Sequence, residues 1–160
     1  PALTVRLSSK ELGLRKNDAV PQPVKIILGS LKKSTKTKKL FAGSEKIIIG
    51  SKLPAKKIKN VEYLEYEKKD FLDRFMQDLL QRNISSILVE GGQQTLNAFI
   101  GKNLFDELVL YTAPMILGKG SKDTMSSKAP MSIKKSPRLK LIKLESFGDD
   151  IKTTYYNPNA

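Results

Sequence analysis

The segment Ile87–Ile100, ILVEGGQQTLNAFI, constrains the fold of this chain more than any other stretch. A short apolar run ends in a carboxylate and is followed by two glycines and then by a helical pattern. The run Ile87–Val89 is typical of a buried strand, and glycine lets the backbone approach a neighbouring group because it has no Cβ. The segment therefore predicts a strand, an exposed turn and the beginning of a helix.

The helix predicted after the glycines is amphipathic, because Leu96, Phe99 and Ile100 fall on one face. The first amides of such a helix have no acceptor within it and lie at the positive end of the helix dipole, so an anionic group is stabilised there. A dinucleotide phosphate meets this description. Two glycines after a strand also occur in turns that bind nothing, so the pattern alone leaves a structural turn and a ligand-binding loop as open alternatives.

Composition limits the chemistry that the 160 residues can perform. The chain has no Cys and no His, which excludes disulfides, thiolate metal sites and imidazole catalysis, and we expect no metal. No apolar run reaches the roughly 18 residues of a membrane helix, and the N-terminal PALTVRLSS lacks the basic start and apolar centre of a signal peptide. We therefore expect one domain over residues 1–160 in a cytoplasmic protein.

The net charge of +13 has three candidate explanations: nucleic acid, a phosphorylated small molecule, or a proteome rich in Lys. Lys32–Lys39 is a dense basic stretch, and Lys56, Lys57 and Lys59 form a second cluster. Neither cluster contains aromatic residues that would stack on bases, and no nucleic-acid-binding motif is present. The pattern favours solvated loops with a general attraction to anions.

Hydrophobic patterns predict strands at Val24–Leu28 and Lys46–Ile49, and a shorter, half-exposed strand at Val61–Tyr66. Asp70 is the predicted N-cap of a helix that Asn83 closes. The apolar positions of this helix repeat at helical spacing and predict a core-facing stripe: Phe71, Leu72, Phe75, Met76, Leu79 and Leu80.

The second half of the chain predicts a strand at Ile87–Glu90 and a helix from about Gln93 to Lys102. A further strand is predicted at Asp106–Ala113, followed by a long loop at Lys119–Pro137. Two runs on either side of a turn at residues 148–150 predict a C-terminal antiparallel hairpin. Strands that alternate with helices and end in a hairpin indicate an α/β domain with a mixed sheet.

The strings VEGGQQTLNAFI and LFDELVLYTAPMILGKG resemble the reductase domain of bacterial riboflavin-biosynthesis deaminase–reductases. PALTVRL is similar to the DDPxLTVR segment of that family, QPVKIILGS to its QPxRVVLDS strand, and SPRLKLIKLESFGDDIKTTYY to its last two strands. The resemblance covers nearly the whole chain. It implies a dihydrofolate-reductase-like fold, in which a mixed sheet is flanked by helices and ends in an antiparallel hairpin.

The resemblance also implies an activity, namely NADPH-dependent reduction of 5-amino-6-(5-phosphoribosylamino)uracil to the ribitylamino product. By position, Leu3, Arg6 and Glu90 match substrate-contacting residues, and Ser30 matches a cofactor contact. The remaining cofactor-binding positions that it implies are Gly91, Gly92, Gln93, Gln94, Thr95, Leu96, Asn97 and Ala98. In proteins of this fold the matching Gly–Gly peptide is often cis, so we expect a cis bond between Gly91 and Gly92.

The chain departs from the family pattern in three places. It starts at the proline of the DDP motif, so we expect the first strand and first helix of the domain, and the deaminase domain, to be missing from this chain. Gly29 also replaces the family aspartate that precedes Ser30. We therefore expect a partial reductase domain that depends on an upstream segment or a deaminase domain of the same gene. Exposed strand edges predict a homodimer.

Two other functions remain open on the sequence. A pterin or folate reductase would keep the same fold and change the substrate. A non-catalytic basic module would bind polyanions through the Lys-rich loops.

Overall fold

The computed structural model describes residues 3–29, 41, 47–50, 58, 61–66, 70–121, 123–124 and 136–160. The chain divides into two compact units, Pro1–Ser86 and Ile87–Ala160, each with its own three-stranded sheet. Within the described part, no helix is long and apolar enough to cross a membrane. Both Lys-rich clusters and most of the predicted loop Lys119–Pro137 lie outside the described residues. The expectation of a single domain stays a prediction.

The first unit contains three parallel strands in the order β1-β2-β3. They span Lys25–Leu28 (β1), Ile47–Gly50 (β2) and Val61–Leu64 (β3). The central strand is the most buried, because Ile48 and Ile49 have no exposed surface. A run of β-branched residues suits a strand that is covered on both faces. The three strands predicted here from the sequence are confirmed.

Helix α1 (Phe71–Gln81) follows β3 and contributes most of the remaining core of this unit. Leu72, Phe75 and Leu79 are buried, as the predicted stripe requires. The aromatic rings lie against the end of β2, since a Cβ on Gly50 would come within 3.0 Å of both Phe71 and Phe75. A side chain at Gly50 would therefore force both rings to move by a few tenths of an ångström.

The ends of α1 are also close to those predicted. Asp70 is the N-cap residue, although its side chain makes no capping hydrogen bond. Arg82 is the C-cap, and Asn83 follows it in a left-handed conformation with φ 59°. Asparagine tolerates this conformation at the end of a helix better than most residues. Leu80 is the exception in the predicted stripe, because 67% of it is exposed.

A polar network joins β3 to α1. Arg82 Nη2 lies 2.7 Å from Glu62 Oε1, and the Tyr66 hydroxyl donates to the Asp78 carboxylate. The Tyr66 ring packs edge-on against Phe71 with ring centroids 5.7 Å apart. Burial, followed by the hydrogen bond to Asp78, raises the pKa of the Tyr66 hydroxyl well above its usual value. These contacts therefore stabilise the packing of α1 against β3.

The second unit begins with a segment that has no regular secondary structure, and it contains helix α2 (Gln93–Gly101) and three antiparallel strands. The strands are β4 (Glu107–Thr112), β5 (Lys140–Phe147) and β6 (Asp150–Tyr156), in the order β4-β6-β5. Gly148, with φ 62°, turns the chain between β5 and β6. The predicted strand at Asp106–Ala113 and the C-terminal hairpin are confirmed.

The prediction of a strand at Ile87–Glu90 is wrong. These residues have no assigned secondary structure, and Leu88 is 84% exposed. An apolar run shows a preference for strand conformation, but a strand forms only where its backbone groups pair with a neighbouring chain. Among the described strands, the two sheets pair only within β1–β3 and within β4–β6, so this segment stays outside both ladders.

Asn157, just after β6, is fully buried and ties the end of the sheet to the loop before β4. Its side-chain Nδ2 donates to Asn103 Oδ1 at 2.8 Å and to the Phe105 carbonyl at 2.9 Å. Its backbone N–H donates to the Asp106 carbonyl at 2.8 Å, and its Oδ1 accepts from the Asn159 N–H at 3.1 Å. These bonds satisfy a buried polar side chain that would otherwise be destabilising.

Candidate functional site

The turn before α2 has the geometry of an open helix N-terminus. Gly92 is the N-cap residue, with φ −80° and ψ 175°, and its carbonyl accepts from the Thr95 and Leu96 N–H groups at 3.0 and 3.2 Å. No side chain caps this end, and the first turn contains no acidic residue. The positive end of the helix dipole is therefore not neutralised by the side chains of the first turn.

The two glycines of this turn differ in what surrounds them. A Cβ on Gly91 would lie 2.9 Å from Thr95 Cβ and 3.1 Å from its Oγ1, which is closer than real contacts allow. A Cβ on Gly92 would meet nothing within 4 Å. Neither glycine has a positive φ. Packing therefore explains Gly91, whereas neither packing nor backbone conformation explains Gly92.

The expectation of a cis peptide bond between Gly91 and Gly92 is wrong, because the described residues contain no cis peptide bond. The extended conformation at Gly92 already directs its carbonyl into the first turn of α2, where two amides donate to it. The helix is therefore begun with an ordinary trans bond.

Glu90 and the eight implied cofactor positions form one continuous turn and helix. On this segment Glu90, Gly91, Gly92, Gln94 and Ala98 are exposed. Gln93, Thr95, Leu96 and Asn97 are half-buried. The exposed positions offer a backbone-rich surface with one carboxylate at its start, which suits a ligand that carries both anionic and hydrogen-bonding groups.

Leu3 belongs to the first unit and has an unusual backbone. It is half-buried and has φ 51°, a left-handed conformation that is rare for a bulky apolar residue. The segment is attached to the residues before β1, because the Val5 N–H donates to Gln22 Oε1 at 3.0 Å. A conformation that costs free energy persists only where the surrounding structure enforces it, and such outliers cluster at functional sites.

Arg6 is exposed and lies just before a tight turn in the first unit. In this turn the Ser8 N–H and hydroxyl both donate to Glu11 Oε2, at 2.8 and 2.6 Å. These bonds lower the pKa of the Glu11 carboxyl. The turn fixes the backbone beside Arg6 and leaves its side chain accessible to a ligand.

Ser30, the remaining predicted cofactor contact, lies outside the described residues. Gly29, which precedes it, has φ 105°, and its N–H donates to the Gly50 carbonyl at 3.0 Å. This conformation is strained for any residue with a side chain. The structure thus gives a local reason for glycine at the position where the related family has aspartate.

One buried charge was not anticipated from the sequence. Lys25, at the beginning of β1, is only 1% exposed, and the single available signal was a lysine within the apolar run VKIIL. Among the described residues, no group of three or more acidic, His or Cys side chains is placed to hold a metal ion.

Known proteins are similar to this chain over almost all of its length. The riboflavin biosynthesis protein RibD of Haemophilus influenzae is 30% identical over 161 residues, which cover 97% of this chain and 43% of that protein. The 5-amino-6-(5-phosphoribosylamino)uracil reductase of Buchnera aphidicola subsp. Acyrthosiphon pisum is 26% identical over 160 residues, covering 95% of this chain and 77% of that protein. A solved structure of Acinetobacter baumannii RibD superposes with a TM-score of 0.77 at 23% identity, covering 98% of this chain and 42% of that one.

The chain thus spans less than half the length of the RibD proteins that it matches. The structural likeness confirms the fold that the sequence predicted, an α/β domain of the dihydrofolate-reductase-like type. The model of the RibD C-terminal domain family matches residues 1–153, and this chain therefore belongs to that family.

Proposed function

We propose that this chain is the reductase part of a riboflavin-biosynthesis enzyme. It would use NADPH to reduce 5-amino-6-(5-phosphoribosylamino)uracil to the ribitylamino product. Membership of the RibD C-terminal domain family and the likeness to a reductase of that name support the reaction class. The observation that carries the proposal is the open N-terminus of α2 behind Gly92, a glycine that the fold itself does not require.

In this proposal the cofactor pyrophosphate lies against the turn Gly91–Gly92 and the first amides of α2. Missing side chains at both glycines let phosphate oxygens reach the backbone, and the helix dipole favours their charge. Gln93, Gln94, Thr95, Leu96, Asn97 and Ala98 would line the cofactor, and Ser30 would contact it after β1. A bound nicotinamide supplies the hydride, so the protein needs no His, Cys or metal.

Leu3, Arg6 and Glu90 would bind the substrate. The exposed guanidinium of Arg6 offers a planar fork of donors that matches a phosphate or a hydroxyl-rich sugar. Glu90, exposed directly before the glycines, would accept hydrogen bonds from the amino groups of the pyrimidine ring. Leu3 would give an apolar contact to the ring. These residues would hold the substrate in the orientation that the hydride transfer requires. Holding two bound molecules in a reactive geometry lowers the activation free energy of a reaction considerably.

We further propose that the active enzyme is a cytoplasmic homodimer that works with an upstream segment or a deaminase domain of the same gene. The RibD relatives are more than twice as long as the aligned region, which supports the upstream segment or deaminase domain. The homodimer rests on the strand edges that the sequence predicts to be exposed. Enzyme turnover should therefore be measured both for this chain and for the chain extended by its upstream coding sequence.

The cofactor site is tested by replacing Gly92 with alanine. The new methyl group meets nothing in the protein, so the fold is kept, but it would stand between the backbone and the phosphate. We expect NADPH binding, measured by titration calorimetry, to weaken by about tenfold or more, which corresponds to about 1.4 kcal/mol. The matched control is Gly101→Ala at the other end of α2, where a Cβ also meets nothing within 4 Å.

If Gly92→Ala binds NADPH as tightly as the unchanged chain does, the proposed cofactor position is wrong. The substrate is tested with the phosphoribosylaminouracil and with dihydrofolate. Oxidation of NADPH with dihydrofolate alone would favour a folate reductase. A polyanion-binding module would bind arbitrary nucleic acid with an affinity that falls steeply with salt, and it would bind no NADPH.

A further inference from the structure

The turn that carries both proposed ligand groups is held by hydrogen bonds on one side only. A single residue separates Glu90, the proposed substrate contact, from Gly92, at the proposed cofactor position. On the helix side, the Gly92 carbonyl accepts from the Thr95 and Leu96 N–H groups at 3.0 and 3.2 Å. On the other side, no hydrogen bond joins residues 87–91 to another described residue. The position of Glu90 relative to α2 therefore depends on packing.

The side chain of Thr95 supplies this packing. Its Cβ, Oγ1 and Cγ2 lie 2.9, 3.1 and 3.3 Å from the place that a Cβ on Gly91 would occupy. Because a carbon–carbon bond is about 1.5 Å long, Thr95 Cβ lies within about 4.5 Å of Gly91 Cα, which is a contact. Side chains of a helix lean towards its N-terminus, so a residue in the first turn can cover the segment before the helix. Thr95 thus packs directly against Gly91, the residue between the two proposed ligand groups.

The two γ atoms of Thr95 take part in this contact alike. Oγ1 and Cγ2 differ by only 0.2 Å in their distance from the place above Gly91, and the side chain is half-buried. The shape of the side chain therefore explains its contact with Gly91 without any use of its hydroxyl group. A hydroxyl that bonds to a cofactor phosphate would be a different role, and it calls for different replacements at this position.

We propose that Thr95 is a positioning residue, which holds Gly91 and thereby sets the distance between Glu90 and Gly92. The inference rests on the proposed function, in which Glu90 binds the pyrimidine and Gly92 lies against the cofactor. Hydride transfer requires the two bound molecules in a reactive geometry, and a misplacement of about 1 Å can cost about 100-fold in rate. The Gly92 carbonyl stays joined to α2 through backbone amides whatever side chain stands at residue 95. Thr95 therefore contributes to turnover more than to cofactor affinity.

Three replacements of Thr95 separate shape from hydrogen bonding. Thr95→Ala removes both γ atoms, and because alanine is the better helix former, a loss of function cannot be due to a weaker helix. Thr95→Val keeps two γ atoms and lacks the hydroxyl, and its helix propensity is close to that of threonine. Thr95→Ser keeps the hydroxyl and lacks the methyl group.

The first measurement is backbone amide relaxation by NMR on the 160-residue chain. In the unchanged chain and in Thr95→Val, we expect Gly91 to have the order parameter of a rigid backbone, about 0.85. In Thr95→Ala it should fall below about 0.6, which is the range of a flexible segment. This measurement needs neither cofactor nor turnover. An order parameter of Gly91 that is the same in all three chains would overturn the proposal.

The second measurement compares turnover with NADPH binding, in the chain extended by its upstream coding sequence. Thr95→Ala should lower kcat by about tenfold. The Kd for NADPH, from titration calorimetry, should change by less than about twofold, because the backbone donors of the turn are kept. Thr95→Val should recover most of the lost turnover. A role limited to stability would not produce this split between kcat and Kd.

Two outcomes would contradict the positioning role. If Thr95→Val weakens NADPH binding and Thr95→Ser does not, the hydroxyl bonds to the cofactor and the proposal is wrong. If Thr95→Ala turns over as fast as the unchanged enzyme, only the positioning role is refuted and the reductase function stands. An extended chain that neither binds NADPH nor oxidises it would instead refute the proposed function, and the role of Thr95 would fall with it.

Discussion

The close approach of Gly91 to Thr95 makes a quantitative prediction about stability. In Gly91→Ala the new Cβ would lie 2.9 Å from Thr95 Cβ, whereas non-bonded carbon atoms prefer about 3.5–4.0 Å. Forcing an extra methyl group into such a place costs roughly 1–3 kcal/mol. Replacing glycine at a non-positive φ recovers about 0.4–1 kcal/mol by restricting the unfolded chain. We therefore expect a net loss of about 1–2 kcal/mol in the free energy of unfolding.

The assay is urea unfolding followed by far-UV circular dichroism, since the chain has no Trp to give a fluorescence signal. The adjacent variant Gly92→Ala is the control, because its Cβ meets nothing within 4 Å. Alanine is a poorer N-cap than glycine but restricts the unfolded chain, so the two effects offset each other and the free energy of unfolding should change by less than about 1 kcal/mol.

A double-mutant cycle identifies the contact responsible. Thr95→Gly removes the side chain that the new methyl group at position 91 would strike, at a cost of roughly 0.3–0.5 kcal/mol in helix propensity. If the contact is real, Gly91→Ala should be nearly harmless in the Thr95→Gly background, with a coupling energy of about 1–2 kcal/mol. Equal effects of Gly91→Ala in both backgrounds would refute the reasoning.

Two further predictions concern the C-terminal sheet. Asn157→Ala should lower the free energy of unfolding by about 2–4 kcal/mol in thermal or urea unfolding, because it removes a fully buried side chain that bonds to the Phe105 carbonyl, to Asn103 Oδ1 and to the Asn159 N–H. Asn159→Ala, at an exposed position, should cost less than about 0.5 kcal/mol. Hydrogen bonds from Lys143 and then Lys152 lower the pKa of Glu145 below its ordinary value of 4.5, so its contribution to stability is complete above pH 4.5 and is lost as the pH falls through the lowered value. Glu145→Gln should therefore be less stable than the unchanged chain at about pH 7, and the difference should shrink as the pH falls below the ordinary value of 4.5; a difference that does not change with pH would contradict the assignment.

Much of the fold could be predicted from local sequence pattern. The β-branched runs that became β1 and β2, the apolar stripe of α1 and the hairpin of β5 and β6 depend on residue type and spacing, which the sequence shows directly. The candidate site was predicted in part for the same reason, since strand-like and helical patterns on either side of Gly91 and Gly92 place a turn there. The roles of Leu3, Arg6 and Glu90 depended on resemblance and stay predictions.

Other features depended on partners that sequence pattern does not specify. Ile87–Glu90 has the composition of a strand but lies outside both ladders, because pairing requires a neighbouring strand at the right distance. The alternation of β5 did not reveal the bulge at Ile142, because the bulge appears only in its register with β6.

The sequence by itself thus determined which segments become helices and most of those that become strands, and it determined that a glycine turn precedes α2. Only the tertiary structure decided which of the two glycines is required by packing, where the bulge in β5 lies, and why Asn157 is buried. The physical reason is that secondary structure follows largely from interactions between residues close in sequence, whereas these properties arise from atoms brought together by folding.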